Sequence, residues 1–256
     1  EVHGVDKNEL RAPAYPLVTI DPYTNAWSFG DNLYDSSLKH WTGQDFPLIG
    51  VVKVDGVPYR FMGIEDYDPM MSTNGDVPGL STEGDSMSYF TQTARQLSVD
   101  VQPTRTIYQF VCGPVQLDLT FIAPLLMDDL ELVARPVNYL SYEMKTDDGQ
   151  MHNVELYIEV SPHWAMNLSN QSSVSETFTK DGFVFLKRGT KQQNILGTKG
   201  DDVRIDWGYF YLGTDRHNTL AAVGNRNTLR ENFLKGNTDF YASAANTKGE
   251  NQRMAL

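Results

Sequence analysis

Neighbouring acidic residues are the first feature of this sequence that suggests chemistry. They occur at Glu65-Asp66 with Asp68, at Asp128-Asp129, at Asp147-Asp148 and at Asp201-Asp202. Two carboxylates facing each other across a cleft are what hydrolysis of a glycosidic bond requires. Adjacent residues of a strand point to opposite faces, however, so a doublet alone is no catalytic pair. Asp147-Asp148 precedes a glycine and Asp201-Asp202 follows one, which predicts turns at both places.

Other chemistry-bearing residues are sparse. The five histidines lie far apart in the sequence, at His3, His40, His152, His163 and His217. Cys112 is the only cysteine, so neither an internal disulfide nor a cysteine-based metal site is available. The sequence lacks phosphate-binding loops and the G-x-S-x-G and H-E-x-x-H motifs. We therefore expect no metal and no cofactor, and we predict that Cys112 is a small buried hydrophobe.

Aromatic residues offer a second kind of site. Four tryptophans fall in or beside predicted loops, at Trp27, Trp41, Trp164 and Trp207, with Tyr23, Tyr34 and Tyr209 near them. An exposed aromatic surface would stack on a sugar or fill the groove of a partner. The alternative is that these rings cover the ends of a sandwich core.

The elements that must position these residues are strands. Residues 102–162 read as four strands with apolar and polar residues alternating, which places one set on each face of a sheet. Such a meander must bury its apolar face against a second sheet. We therefore predict an all-β fold, a large antiparallel β-sandwich with an extended N-terminal arm and one or two short helices. Residues 124–137 are interpreted as the link between the two sheets.

Turn and cap signals define the other elements. Asp55-Gly56 and Asp181-Gly182 each predict a hairpin. Residues 35–41 predict one or two helical turns, and a capping box from Thr228 to Glu231 predicts a short helix that stops at Gly236. A strand is expected over residues 203–212 and another within the arm at 18–20. Residues 65–84 lack periodicity and predict a long loop.

Charge and hydropathy exclude some partners. The 256 residues carry 21 Lys and Arg against 33 Asp and Glu, a formal net charge of −12. Such a surface repels nucleic acid and anionic lipid. No apolar run approaches the roughly 18 residues that a membrane span needs. The start at Glu1, without Met, suggests a mature protein from which a targeting segment has been removed.

Several long, irregular motifs resemble the glutaminase A family. They are RAPAYPLVTIDPY (11–23), HWTG (40–43), VDG (54–56), YRFMG (59–63), PTRT (103–106), PLLMDDL (124–130), RPV (135–137) and GDDVRIDWGY (200–209). The resemblance covers nearly the whole chain from Arg11 onward. It implies a longer, secreted, periplasmic or outer-surface protein of a bacterium or fungus that hydrolyses L-glutamine to glutamate and ammonia. In that family a β-sandwich region precedes a helical domain similar to the α-barrel toroids of glycoside hydrolases.

The resemblance leads to one main hypothesis. This chain is the non-catalytic N-terminal region, with an arm and hairpin over 1–63 and a sandwich over 64–256 that is truncated at its end. Its partner is the C-terminal helical catalytic domain of the same parent, and the chain alone is expected to be inactive. No catalytic motif of the family falls in these residues, so no catalytic residue is assigned. The candidate interface or cleft-mouth residues are His40, Trp41, Asp206 and Trp207, together with the 65–84 loop.

Two alternatives remain open. The chain is a carbohydrate-binding or accessory sandwich of a glycan-degrading protein, which a row of exposed Trp or Tyr rings would favour. Alternatively it is a complete enzyme, for which it would need a convergent acid/base pair or nucleophile.

Overall fold

Strands dominate the fold. In the computed structural model, which describes residues 11–65, 88–244, 247–250 and 252–256, the chain forms fifteen strands and three short α-helices. The strands are β1 (Tyr15–Asp21), β2 (Thr24–Ser28), β3 (Leu48–Val54), β4 (Val57–Met62), β5 (Arg95–Gln102), β6 (Arg105–Cys112), β7 (Val115–Ile122), β8 (Tyr139–Thr146), β9 (Val154–Val160), β10 (Ser173–Lys180), β11 (Phe183–Thr190), β12 (Phe210–Asp215), β13 (Ala222–Gly224), β14 (Lys248–Glu250) and β15 (Arg253–Ala255). The helices are α1 (Leu130–Ala134), α2 (Arg226–Leu234) and α3 (Thr238–Ser243), with a 3-10 turn at Pro162–Ala165. The predicted all-β sandwich is confirmed, with more helix than the one or two elements expected.

The strands form four sheets in the described residues. Their orders are β1-β2, β5-β6-β7-β8, β13-β15-β9-β3-β4 and β12-β11-β10-β14. The five-stranded sheet faces the β5–β8 sheet across the main core, where Phe61 of β4 meets Phe110 of β6 at a centroid distance of 5.8 Å. Along β7 every second residue is buried, as the alternation predicts. The β10–β12 sheet contributes Val184 and Leu186 to the same core.

Strand β3 is buried along its whole length because both of its faces are covered. Val52 and Val54 point into the main core, while Ile49 and Val51 join a second apolar cluster that includes Phe233 of α2. Lys53 is buried as well, and its Nζ donates to the carbonyl of Phe233 at 2.7 Å. A sheet covered on both faces explains why this strand reads as an apolar run rather than an alternation.

Cys112 is fully buried in the main core, as predicted from its place on the face that carries Tyr108 and Phe110. Burial raises the pKa of its thiol to about 12, since the charged thiolate is disfavoured away from water.

Both predicted hairpins are confirmed. Asp55 and Gly56 join β3 to β4 with φ values of 49° and 87°, and Asp181 and Gly182 join β10 to β11 with 51° and 85°. Positive φ at both central residues is the requirement of a type I′ turn, whose twist matches that of the strands. The stop at Gly236 is also confirmed, with φ of +64° after α2.

The predicted link between the sheets is wrong. Residues 124–137 connect β7 to β8, which pair side by side in one sheet from Val115↔Thr146 to Ile122↔Tyr139. The chain changes sheets one connection later, between β8 and β9, and β9 pairs with β3. The alternation predicted the buried face of β7 correctly, but in β9 Tyr157 and Glu159 of the expected outer face are buried as well. Period two says which residues share a face, and not which strand is the neighbour or what covers the face.

Three local predictions also need correction. Residues 35–41 form no helical turn, because Asp35 accepts from the backbone N–H of Asn32 behind it rather than capping a helix ahead. Helix α2 begins before the predicted capping box, and its N-cap is Asn225, whose side chain accepts from the N–H of Asn227. Strand β12 begins at Phe210, so residues 203–209 lie outside it.

Two predictions are not decided by the described residues. Most of the 65–84 loop, including Asp66 and Asp68, lies outside them. The division of the chain at residue 63 stays a prediction.

One fully buried carboxylate, Glu159 of β9, joins three distant parts of the chain. Arg230 of α2 donates to it from Nε and Nη2, both at 2.8 Å, and Arg253 of β15 donates from Nη1 at 2.8 Å. The hydroxyl of Tyr157 adds a fourth hydrogen bond at 2.8 Å. Burial opposes ionisation of Glu159, but the two guanidinium groups outweigh it and place its pKa at about 2, below the ordinary 4.5.

We predict that Glu159→Gln lowers the free energy of unfolding at pH 7 by about 3–5 kcal/mol, because it leaves two buried guanidinium groups without their counter-charge. Since the folded pKa is depressed, the contribution of Glu159 is full above pH 4.5 and is lost as the pH falls towards 2. Urea unfolding followed between pH 7 and pH 3 measures both effects.

The matched control is Glu143→Gln on β8, where an exposed carboxylate pairs with Lys145 at 3.0 Å. This change should cost less than about 1 kcal/mol. Equal losses in the two variants would contradict a central role for Glu159.

A candidate functional site at the Trp41 corner

Two of the segments singled out from the sequence meet at one corner of the molecule, which we call the Trp41 corner. His40 and Trp41 lie in the connection between β2 and β3, and Asp206 lies in the segment before β12. Thr42 and Arg204 join the two segments, because the Arg204 guanidinium donates to the Thr42 hydroxyl at 3.0 Å.

His40 is fully buried and both of its ring nitrogens have partners. Nδ1 lies 2.9 Å from the hydroxyl of Thr42, and Nε2 lies 3.1 Å from the carbonyl of Pro22. Burial lowers the pKa of His40, and the positive charge of Arg204 acts in the same direction. A neutral imidazole that donates from Nε2 and accepts at Nδ1 satisfies both contacts. The buried imidazole ring of His40 therefore links the carbonyl of Pro22 to the hydroxyl of Thr42.

Trp41 is 51% exposed, but two hydrogen bonds fix its position. Its indole N–H donates to the carbonyl of Pro22 at 2.8 Å, and its backbone N–H donates to Oδ1 of Asn25 at 3.1 Å. The same Oδ1 accepts the indole N–H of Trp27 at 3.0 Å. One buried amide, Asn25, thus orients two tryptophans, and the indole of Trp41 offers its apolar face to solvent.

The two indoles line an open cleft of about 380 Å³. The other lining residues are Thr19, Ile20, Asp21, Pro22 and Asn25. Asp21 shapes the cleft through the β1–β2 turn, since its Oδ1 accepts the backbone N–H groups of Tyr23 and Thr24 at 2.8 Å. The cleft is open and shallow, and its lining is mainly apolar.

The Asp206 side of the corner is a buried polar network. Arg204 donates from Nε and Nη2 to the carbonyl of Asn167, at 3.0 and 2.6 Å, and also pairs with Asp202. Asp206 accepts from the amide of Gln171 at 2.7 Å. Trp207 is half-buried beside this network. These bonds explain why residues 203–209 leave the regular strand pattern, since their polar side chains turn inward.

The acidic doublets act mainly as local caps and turns. Asp129 caps α1 by accepting from Leu132 N–H at 2.9 Å. Asp148 accepts from the backbone of Gln150 at 2.9 Å, which confirms the predicted turn. Within the described ranges, no group of three or more His, Cys, Asp and Glu side chains could hold a metal ion, and no helix is long and apolar enough to cross a membrane.

Sequence reasoning missed the residues that organise this corner. Thr42 and Arg204 stand inside the HWTG and GDDVRIDWGY motifs, so the motifs carried a signal for them. Asn25 had no such signal, because an asparagine beside a predicted turn is common and its two tryptophan partners are set by tertiary structure.

We predict that Asn25→Ala lowers the free energy of unfolding by about 1–3 kcal/mol, because it leaves the partly buried indole N–H of Trp27 and backbone N–H of Trp41 without their acceptor. Tryptophan fluorescence should become more sensitive to acrylamide as the indole of Trp27 loosens. Asn194→Ala, an exposed amide in the loop between β11 and β12, is the control and should change stability by less than about 0.5 kcal/mol. Indistinguishable variants would show that Asn25 does not hold the corner.

Comparisons with known proteins relate the chain to a family. Residues 104–255 match a domain of unknown function, DUF5127, and residues 2–72 match another, DUF4964. Glutaminase A of Aspergillus oryzae is 24% identical over 219 residues, which is 82% of this chain and 28% of that protein. The chain is thus a distant relative of that protein and spans little more than a quarter of its length. Since the first domain match covers more than half of its residues, the chain belongs to the DUF5127 family.

Proposed function

We propose that this chain is the non-catalytic β-sandwich region of a glutaminase-A-like hydrolase. In this proposal the parent protein hydrolyses L-glutamine to glutamate and ammonia, and the sandwich packs against the helical catalytic domain. The relation to Glutaminase A and the partial coverage of that protein support the proposal. A secreted, periplasmic or outer-surface location belongs to the same proposal.

The observation that carries the proposal is an aliphatic ridge between β7 and β8. The ridge consists of Leu125, Leu126, Met127, Leu130 and Val133. Met127 is 74% exposed and Leu130 is 77% exposed, and helix α1 within the ridge has no buried residue. A helix of five residues that buries nothing gains no stability from packing, so a covering partner would stabilise it. Contiguous exposed aliphatic residues are typical of protein contact surfaces.

The charges of the ridge suit a partner that is apolar with a basic rim. Asp128, Asp129 and Glu131 stand among the aliphatic side chains, and Arg135 is the only Lys or Arg in residues 124–137. Complementary charge at the rim of an interface fixes its orientation more than its affinity. A helical domain that carries Leu, Lys and Arg on one face meets these requirements.

The engagement of the buried titratable groups supports a non-catalytic role. Glu159 is held by two guanidinium groups, and Arg204 by Asp202 and Asn167. His40 uses both nitrogens internally. A general base must instead reach a substrate proton from a free lone pair. The exposed face of Trp41 makes the His40–Trp41 and Asp206–Trp207 corner a candidate for the mouth of the parent's cleft.

The direct test is ammonia release from L-glutamine by this 256-residue chain and by the longer protein. We expect activity in the longer protein alone, because the proposed catalytic domain is present only there. Activity in the isolated chain would contradict the non-catalytic role. Absence of ammonia release from both proteins would overturn the glutaminase assignment.

The ridge has its own test in the variant Leu126→Asp/Leu130→Asp. The isolated chain should keep its stability within about 0.5 kcal/mol, since neither side chain is buried there. The longer protein should lose about 2 kcal/mol or more, because two leucines would no longer be buried against its other domain. Thermal unfolding of both proteins measures the difference.

The control pair is Ile195→Asp/Leu196→Asp, which changes two aliphatic residues of comparable exposure in the loop between β11 and β12. This pair should leave the longer protein unchanged. An equal loss from both pairs, or no loss from the ridge pair, would contradict the ridge as the interface.

A further inference from the structure

The outer face of the β10–β12 sheet carries a row of aromatic rings, which we call the aromatic strip. It consists of Phe178, Phe183, Phe185, Tyr209 and Tyr211. The centroid distances along the row are 6.1 Å from Phe183 to Phe185, 5.2 Å from Phe185 to Phe178, 6.5 Å from Phe178 to Tyr211 and 6.4 Å from Tyr211 to Tyr209. The rings therefore form one continuous surface across three strands.

Strand geometry explains why these rings face outward. In β11, Val184, Leu186 and Arg188 point into the molecule, which leaves Phe183 and Phe185 on the other side. Phe178 is the direct cross-strand partner of Phe185, and their ring planes differ by 20°. Direct cross-strand aromatic pairs stabilise a sheet, so the strip is a built feature of this face.

Two glycines form the floor beneath the strip. A Cβ atom at Gly213 would lie 2.5 Å from the ring of Phe185, its cross-strand neighbour, and one at Gly189 would lie 2.6 Å from the ring of Tyr209. Both rings thus lie over bare backbone, close to the plane of the sheet. Aromatic rings that cover glycines in this manner also protect the strand hydrogen bonds below them. The rings of Phe178 and Phe185 are nearly parallel, whereas Tyr211 is inclined at 87° to Phe178 and at 64° to Tyr209, so the strip presents ring faces and ring edges.

A charged pair lies within the strip. The Nζ of Lys187 is 2.8 Å from a carboxylate oxygen of Glu176 and 4.2 Å from the centroid of the Tyr209 ring. Both groups are partly exposed and offer donors and acceptors beside the aromatic faces. An aromatic surface with a few fixed polar groups is an arrangement that orients a ligand which is apolar on its faces and polar at its edges.

We propose that the aromatic strip binds a neutral polysaccharide chain. A pyranose ring presents C–H groups on its faces and hydroxyls around its edge, and the electron-rich face of an aromatic ring attracts such C–H groups. The Lys187–Glu176 pair meets the hydroxyls. The net charge of −12 disfavours an acidic polysaccharide and favours an uncharged one.

The composition of the strip favours a saccharide over a protein partner. The outward residues of β11 and β12 at its centre are aromatic, glycine or charged. A face of rings and glycines without an aliphatic knob provides little of the shape complementarity of a protein interface core. The proposal does not depend on the glutaminase assignment.

The test is native affinity electrophoresis of the chain in gels that contain hydroxyethyl cellulose, galactomannan or soluble xylan, with polygalacturonate as the acidic comparison. We expect retardation in at least one neutral gel and none with polygalacturonate. The variant Tyr209→Ala/Tyr211→Ala should weaken the affinity by about tenfold, as removal of central aromatic contacts does. Circular dichroism and thermal unfolding establish that the variant is folded.

The control is Tyr139→Ala/Tyr142→Ala on β8. Its tyrosines are 49% and 54% exposed, against 53% and 49% for Tyr209 and Tyr211. Retention of binding in this control and loss in the strip variant supports the proposal. Absence of retardation in all neutral gels, or equal losses in both variants, would overturn it. A chain dimer in sedimentation that Tyr209→Ala/Tyr211→Ala dissociates would identify a second copy as the occupant and would also overturn it.

Discussion

The contact on which the remaining structure depends is the buried ion pair network of Glu159. Taking one carboxylate and two guanidinium groups out of water is costly, and the cost is offset only when every charge is matched and hydrogen-bonded. Arg230 and Arg253 come from α2 and β15, which are 71 and 94 residues away from Glu159. The network therefore forms only when β9, α2 and β15 are all in place. We expect the second apolar cluster beside it to fold and unfold as one unit.

The same network explains why both faces of the five-stranded sheet are covered. One face packs on the β5–β8 sheet in the ordinary manner of a sandwich, and the other is covered by α2 and α3. Arg230 and Phe233 lie on successive turns of α2 and supply the charge and the apolar surface of this cover. Glu65, next to Arg230 at 3.2 Å, extends the network towards the connection between β4 and β5. Helices α2 and α3 are thus an integral part of the fold.

Local patterns predicted local structure well and long-range structure poorly. The Asp-Gly pairs predicted both hairpins correctly because a type I′ turn depends mainly on its two central residues. The sequence did not show that β8 pairs with β7 and β9 with β3, since the alternation of a strand is the same whichever sheet it joins. At α2, Thr228 and Glu231 had the spacing of a capping box, but Asn225 is the cap and Glu231 pairs with Lys235. At the corner, the motifs pointed to His40, Trp41 and Asp206. The amide of Asn25, which accepts from both Trp27 and Trp41, is signalled by no pattern in the sequence.

The burial of Cys112 has a practical consequence. Its thiol is the only one in the chain, is fully buried in the main core, and has a pKa far above neutrality. Thiolate is the reactive form, so a maleimide or a disulfide reagent meets an inert group in the native protein. A cysteine introduced at a surface position can be labelled selectively with a dye or spin probe, without first removing the native one. In the unaltered chain, the rate at which Cys112 is modified reports how often the core opens around the end of β6, because the thiol is fully buried in the native state.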